Sequence, residues 1–357
     1  MLATLVVLLG CSPFSDSALY DVEPRYDGSR LSFESFVETH DKAWPVPAKL
    51  ETFIVPDGAT LRYAFWPAPN PKRRAGVVVF FQGRTEFIEK NVYAYQALLD
   101  RNFEVWTLDW RGQGLSERLL PDEPEKGHID SYATYLSDAE FFLRKIVKLD
   151  EVRGVPRILL AHSMGGAIGT TYLLRNPGEF DKAVFSAPLI KLPASVDNTL
   201  IRTGNRAKVA IRPSICTGLN PLSACLWQSE FEDDVDVCSI AGNAAADALI
   251  DRDTTEHFSH DATKVAEIEC WIVNSRPAEP SLGLGGPTSG WLRETYEATD
   301  WIDANRSKLE TPLLIVGGSE DRTVSNVGQA AFCDRDNSEC CRLELEGAGH
   351  ELLIETP

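Results

Sequence analysis

The sequence of 357 residues lacks an excess of positive charge, since 35 Lys and Arg stand against 53 Asp and Glu, for a net charge of −18. An acidic surface repels phosphate backbones, so we expect no nucleic-acid partner. The sequence also lacks internal repeats and low-complexity segments. Its 43% hydrophobic and 25% charged residues are ordinary for a globular protein. This composition excludes a disordered, collagen-like or multi-span membrane protein.

Metal-ligand patterns are lacking as well. No CxxC pair and no cysteine–histidine cluster has zinc spacing, so we expect neither a metal nor another cofactor. Cysteines are absent from residues 12–215. The eight present are Cys11, Cys216, Cys225, Cys238, Cys270, Cys333, Cys340 and Cys341. In an exported chain they can form disulfides, and Cys333 lies within reach of either member of the vicinal pair across a short loop. In a cytosolic chain they would be buried thiols.

The N-terminus begins with an apolar run, residues 2–10, which no Lys or Arg precedes. The run is too short to span a bilayer and is typical of the apolar region of a signal peptide. Together with Cys11 it resembles the lipobox of bacterial lipoproteins, which implies a signal peptide over 1–11, a lipidated Cys11 and a tether over 12–48. That resemblance implies anchorage to a membrane surface of the bacterial cell envelope, facing the periplasm, with Ser12 favouring the outer membrane. An ordinary apolar tail and a misplaced start are the alternatives.

Apolar segments of strand length alternate with helical segments along most of the chain. A β-hairpin is predicted from the alternating stretches 51–55 and 60–65, which Pro56-Asp57-Gly58 separates. Later strands are predicted at 76–81, 103–110, 157–162, 182–186, 312–316 and 342–345, and helices at 91–100, 132–149, 165–175 and 324–332. Unbroken apolar strands between helices indicate an α/β fold with a mostly parallel sheet covered on both faces.

A segment of different texture, residues 188–305, interrupts this alternation. It holds four cysteines, an acidic run near 230–236 and weak helical periodicity. We interpret it as a cap over the carboxyl ends of the strands, inserted between two parts of the core, 49–187 and 306–357.

The strongest catalytic signal is Ser163, which stands where the strand RILLAH meets a helix. Such a strand–turn–helix "nucleophile elbow" requires small residues two positions before and after the serine, here Ala161 and Gly165. The N–H of Met164 lies at the helix N-terminus, where it can stabilise an oxyanion. The alternative is a serine that only caps the helix.

An elbow serine needs a base and an acid, in the chain order serine, acid, histidine. Asp321 follows the strand PLLIV, and His350 follows the last strand. Loops at the carboxyl edge of a parallel sheet converge, so both can reach Ser163. Glu320 is a rival acid, and a turn aspartate and a loop histidine are the structural alternatives.

A second oxyanion donor is expected after the first core strand. Gly83 permits a tight turn that would present the N–H of Arg84, although an ordinary glycine turn is the alternative. The segment RGQGLSE (111–117) lacks the third glycine of a dinucleotide fingerprint. It is interpreted as a structural turn near the site.

An ordered set of motifs, from about Leu61 to the C-terminus, resembles the monoglyceride-lipase and lysophospholipase branch of the α/β-hydrolases. The segments are QGRTE (82–86), LDWRGQGLSERL (108–119), GHIDSY (127–132), AHSMGGAI (161–168), GGPTSGWLRE (285–294), GGSEDRTV (317–324) and GAGHELL (347–353). The resemblance implies an α/β-hydrolase fold with a cap, a triad of Ser163, Asp321 and His350, and oxyanion amides from Arg84 and Met164. The family often has His-Gly where this chain has Gln82-Gly83.

The resemblance also implies the activity: a serine hydrolase that cleaves the acyl ester of a single-chain lipid, a lysophospholipid or a monoacylglycerol, through an acyl-enzyme. A basic stretch of the cap can meet a lipid surface or a phosphate head group, or form a solvated helix face. It comprises Lys191, Arg202, Arg206, Lys208 and Arg212 against one acid, Asp197. A serine aminopeptidase, a thioesterase and a non-catalytic lipid-binding lipoprotein are the alternatives. Head group, chain length, regiochemistry and oligomeric state stay open.

Overall fold

The computed structural model describes residues 45–124, 126–211, 282, 284–334 and 339–354. Eight strands form one sheet in the order β1-β2-β4-β3-β5-β6-β7-β8. Their bounds are β1 Lys49–Ile54, β2 Thr60–Trp66, β3 Gly76–Phe81, β4 Phe103–Leu108, β5 Arg157–His162, β6 Lys182–Ser186, β7 Leu313–Gly318 and β8 Cys340–Leu345. The hairpin β1–β2 and the pair β2–β4 are antiparallel, and the remaining pairs are parallel. The predicted α/β fold with a mostly parallel sheet is confirmed.

The hairpin turn has a local cause. Gly58 adopts a φ of +96°, a conformation that glycine takes without strain. The Asp57 carboxylate accepts a hydrogen bond from the N–H of Ala59 at 3.1 Å, which closes the turn.

Within the described residues, six α-helices accompany the sheet. They are α1 Val92–Leu99, α2 Tyr132–Phe141, α3 Met164–Arg175, α4 Thr199–Ile211, α5 Ser289–Asn305 and α6 Asn326–Phe332. The single helix predicted over 132–149 is instead α2 continued by a π-helical turn, Phe142–Val147. Side-chain oxygens of Ser131, Thr288 and Ser325 cap α2, α5 and α6, which sets where these helices begin.

The hydrophobic core lies on both faces of the central strands. Every residue of β3 and of β7 is buried, as expected for parallel strands with helices above and below. The core therefore holds the carboxyl ends of these strands in fixed positions, and the loops that follow them build the site.

The predicted cap lies between β6 and β7 in the chain, and the structure describes its two ends. Helix α5 packs against α4 and against α3 of the core. The Tyr296 hydroxyl donates to the carbonyl of Val196 at 2.6 Å, and the Asn205 amide donates to the carbonyl of Ser289 at 3.0 Å. Residues 212–281, with the acidic run and four cysteines, lie outside the described residues. The boundaries 188–305, 49–187 and 306–357 stay a prediction.

The N-terminal predictions fall on residues 1–44, so the signal peptide, Cys11 and most of the tether lie outside the described residues. In the part of the chain that the structure describes, no helix combines the length and the apolar character that crossing a bilayer requires. The expected link from Cys333 to the vicinal pair is confirmed as a disulfide between Cys333 and Cys340.

Candidate active site

Ser163 occupies a sharp turn between β5 and α3. Its φ is +49° and its ψ is −118°, a backbone conformation that residues other than glycine rarely adopt. The turn requires close packing, because a Cβ at Gly165 would overlap the carbonyl oxygen of Phe81 in β3. The Ser163 hydroxyl makes no capping hydrogen bond to α3. This geometry raises the side chain above the sheet edge.

His350 and Asp321 meet Ser163 at that edge. The Nε2 of His350 lies 2.9 Å from the Oγ of Ser163, and its Nδ1 lies 2.8 Å from the Oδ2 of Asp321. The other oxygen of Asp321 accepts the N–H groups of Thr323 and Val324 at 2.8 and 3.1 Å, which fixes the carboxylate. All three side chains are buried, and the acid in contact with the His350 ring is Asp321 rather than Glu320.

The two residues expected to supply oxyanion N–H groups, Arg84 and Met164, both border the space around Ser163. Gly83 packs against the serine so closely that a Cβ there would lie 3.1 Å from the Cβ of Ser163. Within the described part of the chain, the N–H groups of Arg84 and Met164 have no acceptor. Gln113 holds the turn in place, since its amide donates to the carbonyl of Gly83 at 2.7 Å. Two such donors beside a serine can receive a negatively charged oxygen.

The segment RGQGLSE forms the structural turn that the sequence indicated. Gly112 and Gly114 adopt φ values of +84° and +56°. A Cβ at Gly114 would overlap the carboxylate of Asp109. That carboxylate accepts the N–H groups of Leu115 and Ile88 at 2.9 and 2.8 Å. It therefore ties this turn to the loop that carries Arg84.

A buried charge cluster, which the sequence reasoning missed, supports the site from below. The ammonium of Lys90 lies 2.9 Å from the carboxylate of Glu86 and 2.8 Å from that of Glu351. The Nε2 of His162 lies 3.4 Å from the second oxygen of Glu351. Glu86 also accepts the N–H of Gly83, so the cluster reaches the oxyanion turn. We call Glu86, Lys90, His162 and Glu351 the buried charge cluster.

Burial and charge act in opposite directions inside the buried charge cluster. Burial lowers the pKa of His162, but the carboxylates of Glu86 and Glu351 outweigh it and raise that pKa above the usual range. Burial raises the pKa of Glu351, but Lys90 and His162 outweigh it and hold that pKa well below the usual range. The three side chains other than Lys90 offer ligand atoms within 4.8 Å of one another. The Lys90 ammonium supplies positive charge at the same place.

A cavity of about 390 Å³ opens above Ser163. Its lining is mainly apolar and includes Met164, Leu189, Leu192, Leu284, Pro287, Trp291 and Val324, together with Arg84, His162, His350 and Glu351. One wall joins two of the family-like motifs. Gly127 pairs with Pro287, and the Nδ1 of His128 lies 2.8 Å from the hydroxyl of Thr288, the cap of α5. His128 is thus a structural residue of this wall.

In the basic stretch of the cap, Arg202 is paired with two carboxylates, whereas the sequence placed one acid near it. Arg202 forms ion pairs with Asp197 and with Asp300 of α5, and its guanidinium stacks over the ring of Tyr296 at 4.5 Å. A second acid, distant in sequence, therefore neutralises this cation. Arg206 is exposed, and Arg212 lies outside the described residues.

The sheet order, the strained serine turn and the cavity together define an α/β-hydrolase. Solved structures support that fold. The chain matches a monoglyceride lipase of Saccharomyces cerevisiae with a TM-score of 0.59 at 20% identity, covering 87% of this chain and 91% of that chain. It matches a carboxyl esterase of Bacillus coagulans with a TM-score of 0.61 at 15% identity, covering 85% of this chain and 91% of the esterase chain.

The chain belongs to the Hydrolase_4 family, described as serine aminopeptidase, S33, whose model matches residues 72–357. Among its relatives, lysophospholipase L2 of Escherichia coli is 28% identical over 309 residues, which cover 84% of this chain and 80% of the relative. Monoacylglycerol lipase of Mycolicibacterium smegmatis is 24% identical over 300 residues, which cover 84% of this chain and 88% of the relative. The protein is a hydrolase, and the family resemblance seen in its motifs is confirmed.

Proposed function

We propose that the protein cleaves the acyl ester of a single-chain lipid, a lysophospholipid or a monoacylglycerol, through an acyl-enzyme on Ser163. The observation that carries the proposal is the chain of contacts from Asp321 through His350 to Ser163, at 2.8 and 2.9 Å, on the floor of an apolar cavity. The names of the relatives, lysophospholipase and monoacylglycerol lipase, support the substrate class.

The first half of the reaction acylates the serine. His350 takes the proton of the Ser163 hydroxyl while the Oγ attacks the ester carbonyl carbon. The carbonyl oxygen becomes an oxyanion, which the N–H groups of Arg84 and Met164 receive. The imidazolium is oriented and stabilised by Asp321, and it gives its proton to the glycerol oxygen as the carbon–oxygen bond breaks.

The second half releases the fatty acid. A water molecule gives a proton to His350 and attacks the acyl carbon, and the same two N–H groups receive the second oxyanion. When that intermediate collapses, the bond to Ser163 breaks and the serine oxygen regains its proton from the imidazolium. The protein's own residues perform every step, so we expect activity to persist in EDTA.

An aminopeptidase, the alternative that the family description suggests, needs a carboxylate for the substrate's α-ammonium group. Among the described residues that line the cavity, the carboxylate is that of Glu351, which Lys90 already neutralises. The apolar lining fits an acyl chain better than a charged amine. We therefore favour the lipid ester over the peptide.

The triad is tested with Ser163→Ala, His350→Ala and the double variant, assayed on p-nitrophenyl esters and on a series of lipid esters and amino-acid amides. Each single variant should lower kcat by roughly 10³-fold or more, and the double should be little worse, because residues that act as a unit are not additive. Asp321→Asn should cost less than loss of the serine. A fluorophosphonate should label Ser163.

Additive losses in the double variant would show that Ser163 and His350 do not act together. Faster cleavage of amides than of every lipid ester would overturn the substrate class while leaving the triad in place. Unchanged circular dichroism of each variant serves as the control for folding.

We also propose that Cys11 anchors the protein to the envelope membrane, favouring the outer membrane. Its support is the sequence pattern of residues 2–11 alone. Several acyl chains on one cysteine suffice for stable membrane binding. Cys11→Ser should move the protein to the soluble fraction, and unchanged fractionation of that variant would refute the anchor.

A further inference from the structure

The guanidinium of Arg84 is a half-buried cation in an unusual place. It lines the cavity that holds Ser163 and His350, and its carbon lies 5.3 Å from the centre of the Trp291 ring. One terminal nitrogen donates to the carbonyl of Gly285. The Nε atom is buried and has no acceptor among the described residues.

The arginines and the lysine that are fully buried in the described chain are all neutralised. Arg62, Lys90 and Arg111 each form ion pairs with two carboxylates. Arg84 forms no ion pair within the described residues, and burial lowers its pKa to about 10. An unpaired cation in a cavity is costly, so its retention points to an anionic partner that arrives from outside.

The fold makes room for this side chain specifically. A Cβ at Gly127 would overlap a terminal nitrogen of Arg84, so glycine at 127 leaves the space that the guanidinium occupies. Gly127 pairs with Pro287, which places the guanidinium between the wall of the cavity and the indole of Trp291. The side chain is therefore held with one terminal nitrogen on the carbonyl of Gly285 and with its Nε–H without an acceptor among the described residues.

We propose that the guanidinium of Arg84 binds the phosphate of a glycerophospholipid substrate, which makes lysophospholipids rather than monoacylglycerols the preferred substrates. This inference rests on the proposed ester hydrolysis at Ser163. A guanidinium offers a planar fork of donors that matches two phosphate oxygens, whereas the neutral glycerol of a monoacylglycerol presents no anion. One residue would then act twice, with its main-chain N–H at the ester and its side chain at the phosphate.

The site is distinct from the basic stretch that the sequence suggested for a phosphate. Arg202, the described member of that stretch with the best-defined contacts, is already held by two carboxylates. Arg202→Gln is therefore the matched control for Arg84→Gln, since it removes the same charge from a cation that has its own partners.

The test compares 1-octanoyl lysophosphatidylglycerol with 1-octanoylglycerol below their critical micelle concentrations, so that the charge of an aggregate surface does not enter. The readout is the ratio of the two kcat/KM values, in which any common loss of catalysis cancels. Wild type should prefer the phospholipid. Arg84→Gln should lower the ratio by roughly 10- to 100-fold, the worth of a charge-assisted hydrogen bond. The ratio for Arg84→Lys should lie between those of wild type and Arg84→Gln, and Arg202→Gln should leave the ratio unchanged.

A second measurement needs no variant. On wild type, sn-glycerol 3-phosphate should compete with a p-nitrophenyl ester, whereas glycerol, which carries no anion, should compete far less at the same ionic strength. A ratio unchanged in Arg84→Gln, or a wild-type preference for the monoacylglycerol, overturns the assignment of Arg84. Hydrolysis of the p-nitrophenyl ester with neither lipid cleaved overturns the proposed lipid substrate and this inference with it.

Discussion

Replacing Lys90 with methionine tests whether the buried charge cluster stabilises the fold beneath the active site. Methionine has a similar length but no charge, so Lys90→Met leaves the carboxylates of Glu86 and Glu351 buried without the ammonium that lies between them. In the native protein Lys90 lies 2.9 and 2.8 Å from these carboxylates. Loss of one partner from a buried pair costs roughly 3–5 kcal/mol in the free energy of unfolding.

The thermal effect follows from the size of the chain. At roughly 2 °C for each kcal/mol in a chain this long, the melting temperature of Lys90→Met should fall by about 6–10 °C. Lys308→Met, which removes an exposed lysine, is the matched control and should stay within about 0.5 kcal/mol of wild type. Urea denaturation at pH 7, followed by tryptophan fluorescence, measures both variants.

A double variant isolates the charge term. Lys90→Met with Glu351→Gln removes one positive and one negative charge together, so the buried charge cluster keeps the net charge that it has in wild type. Its destabilisation should be smaller than the sum of the two single variants by roughly 1–3 kcal/mol. A loss in Lys90→Met as small as that of Lys308→Met, or additive losses in the double variant, would refute the reasoning.

Three other changes give independent tests. Gly165→Ala should destabilise the fold strongly and abolish activity, because the added Cβ would overlap a carbonyl of β3. Its control, Gly204→Ala, lies in open space within α4 and should be neutral or stabilising by about 0.5–1 kcal/mol. Equal urea midpoints for the two variants would contradict this prediction. Loss of the Cys333–Cys340 disulfide, which closes a short loop, should cost roughly 2–3 kcal/mol, and an unchanged midpoint would contradict it. His162 has a raised native pKa, so its stabilisation is full below its unfolded pKa of about 6.5 and is lost as pH rises through the native value. His162→Gln should therefore flatten the fall in stability above that pH, and parallel curves for variant and wild type would count against it.

Much of the architecture could be predicted because it depends on local signals. The all-buried strand β3 reads as an unbroken apolar run, and the turn at Gly58 follows from the Pro-Asp-Gly sequence. The elbow was recognisable because a serine between a strand and a helix needs small neighbours such as Gly165. Chain order and strand ends then indicated Asp321 and His350, which the structure brings together with Ser163.

Other features stayed hidden because they depend on partners far away in the chain. The sequence predicts one helix over 132–149, and no local pattern in it predicts the π-helical turn Phe142–Val147. The sequence places one acid, Asp197, near Arg202, and the fold brings Asp300 of α5 beside it as well. Glu351 directly follows His350 in the sequence, yet its carboxylate contacts Lys90, 261 positions away.

The amino-acid sequence by itself determined the strands, their order along the chain and the identity of the candidate triad, because strand periodicity, turn residues and the spacing of motifs are properties of neighbouring residues. Only the tertiary structure decided which charges are neutralised. Two basic residues look alike in a sequence, but folding surrounds the buried Lys90 with two carboxylates and leaves the half-buried Arg84 with none among the described residues. Electrostatic energy depends on distance through space and on burial, and both are set when the sheet edge, the loops and α5 come together.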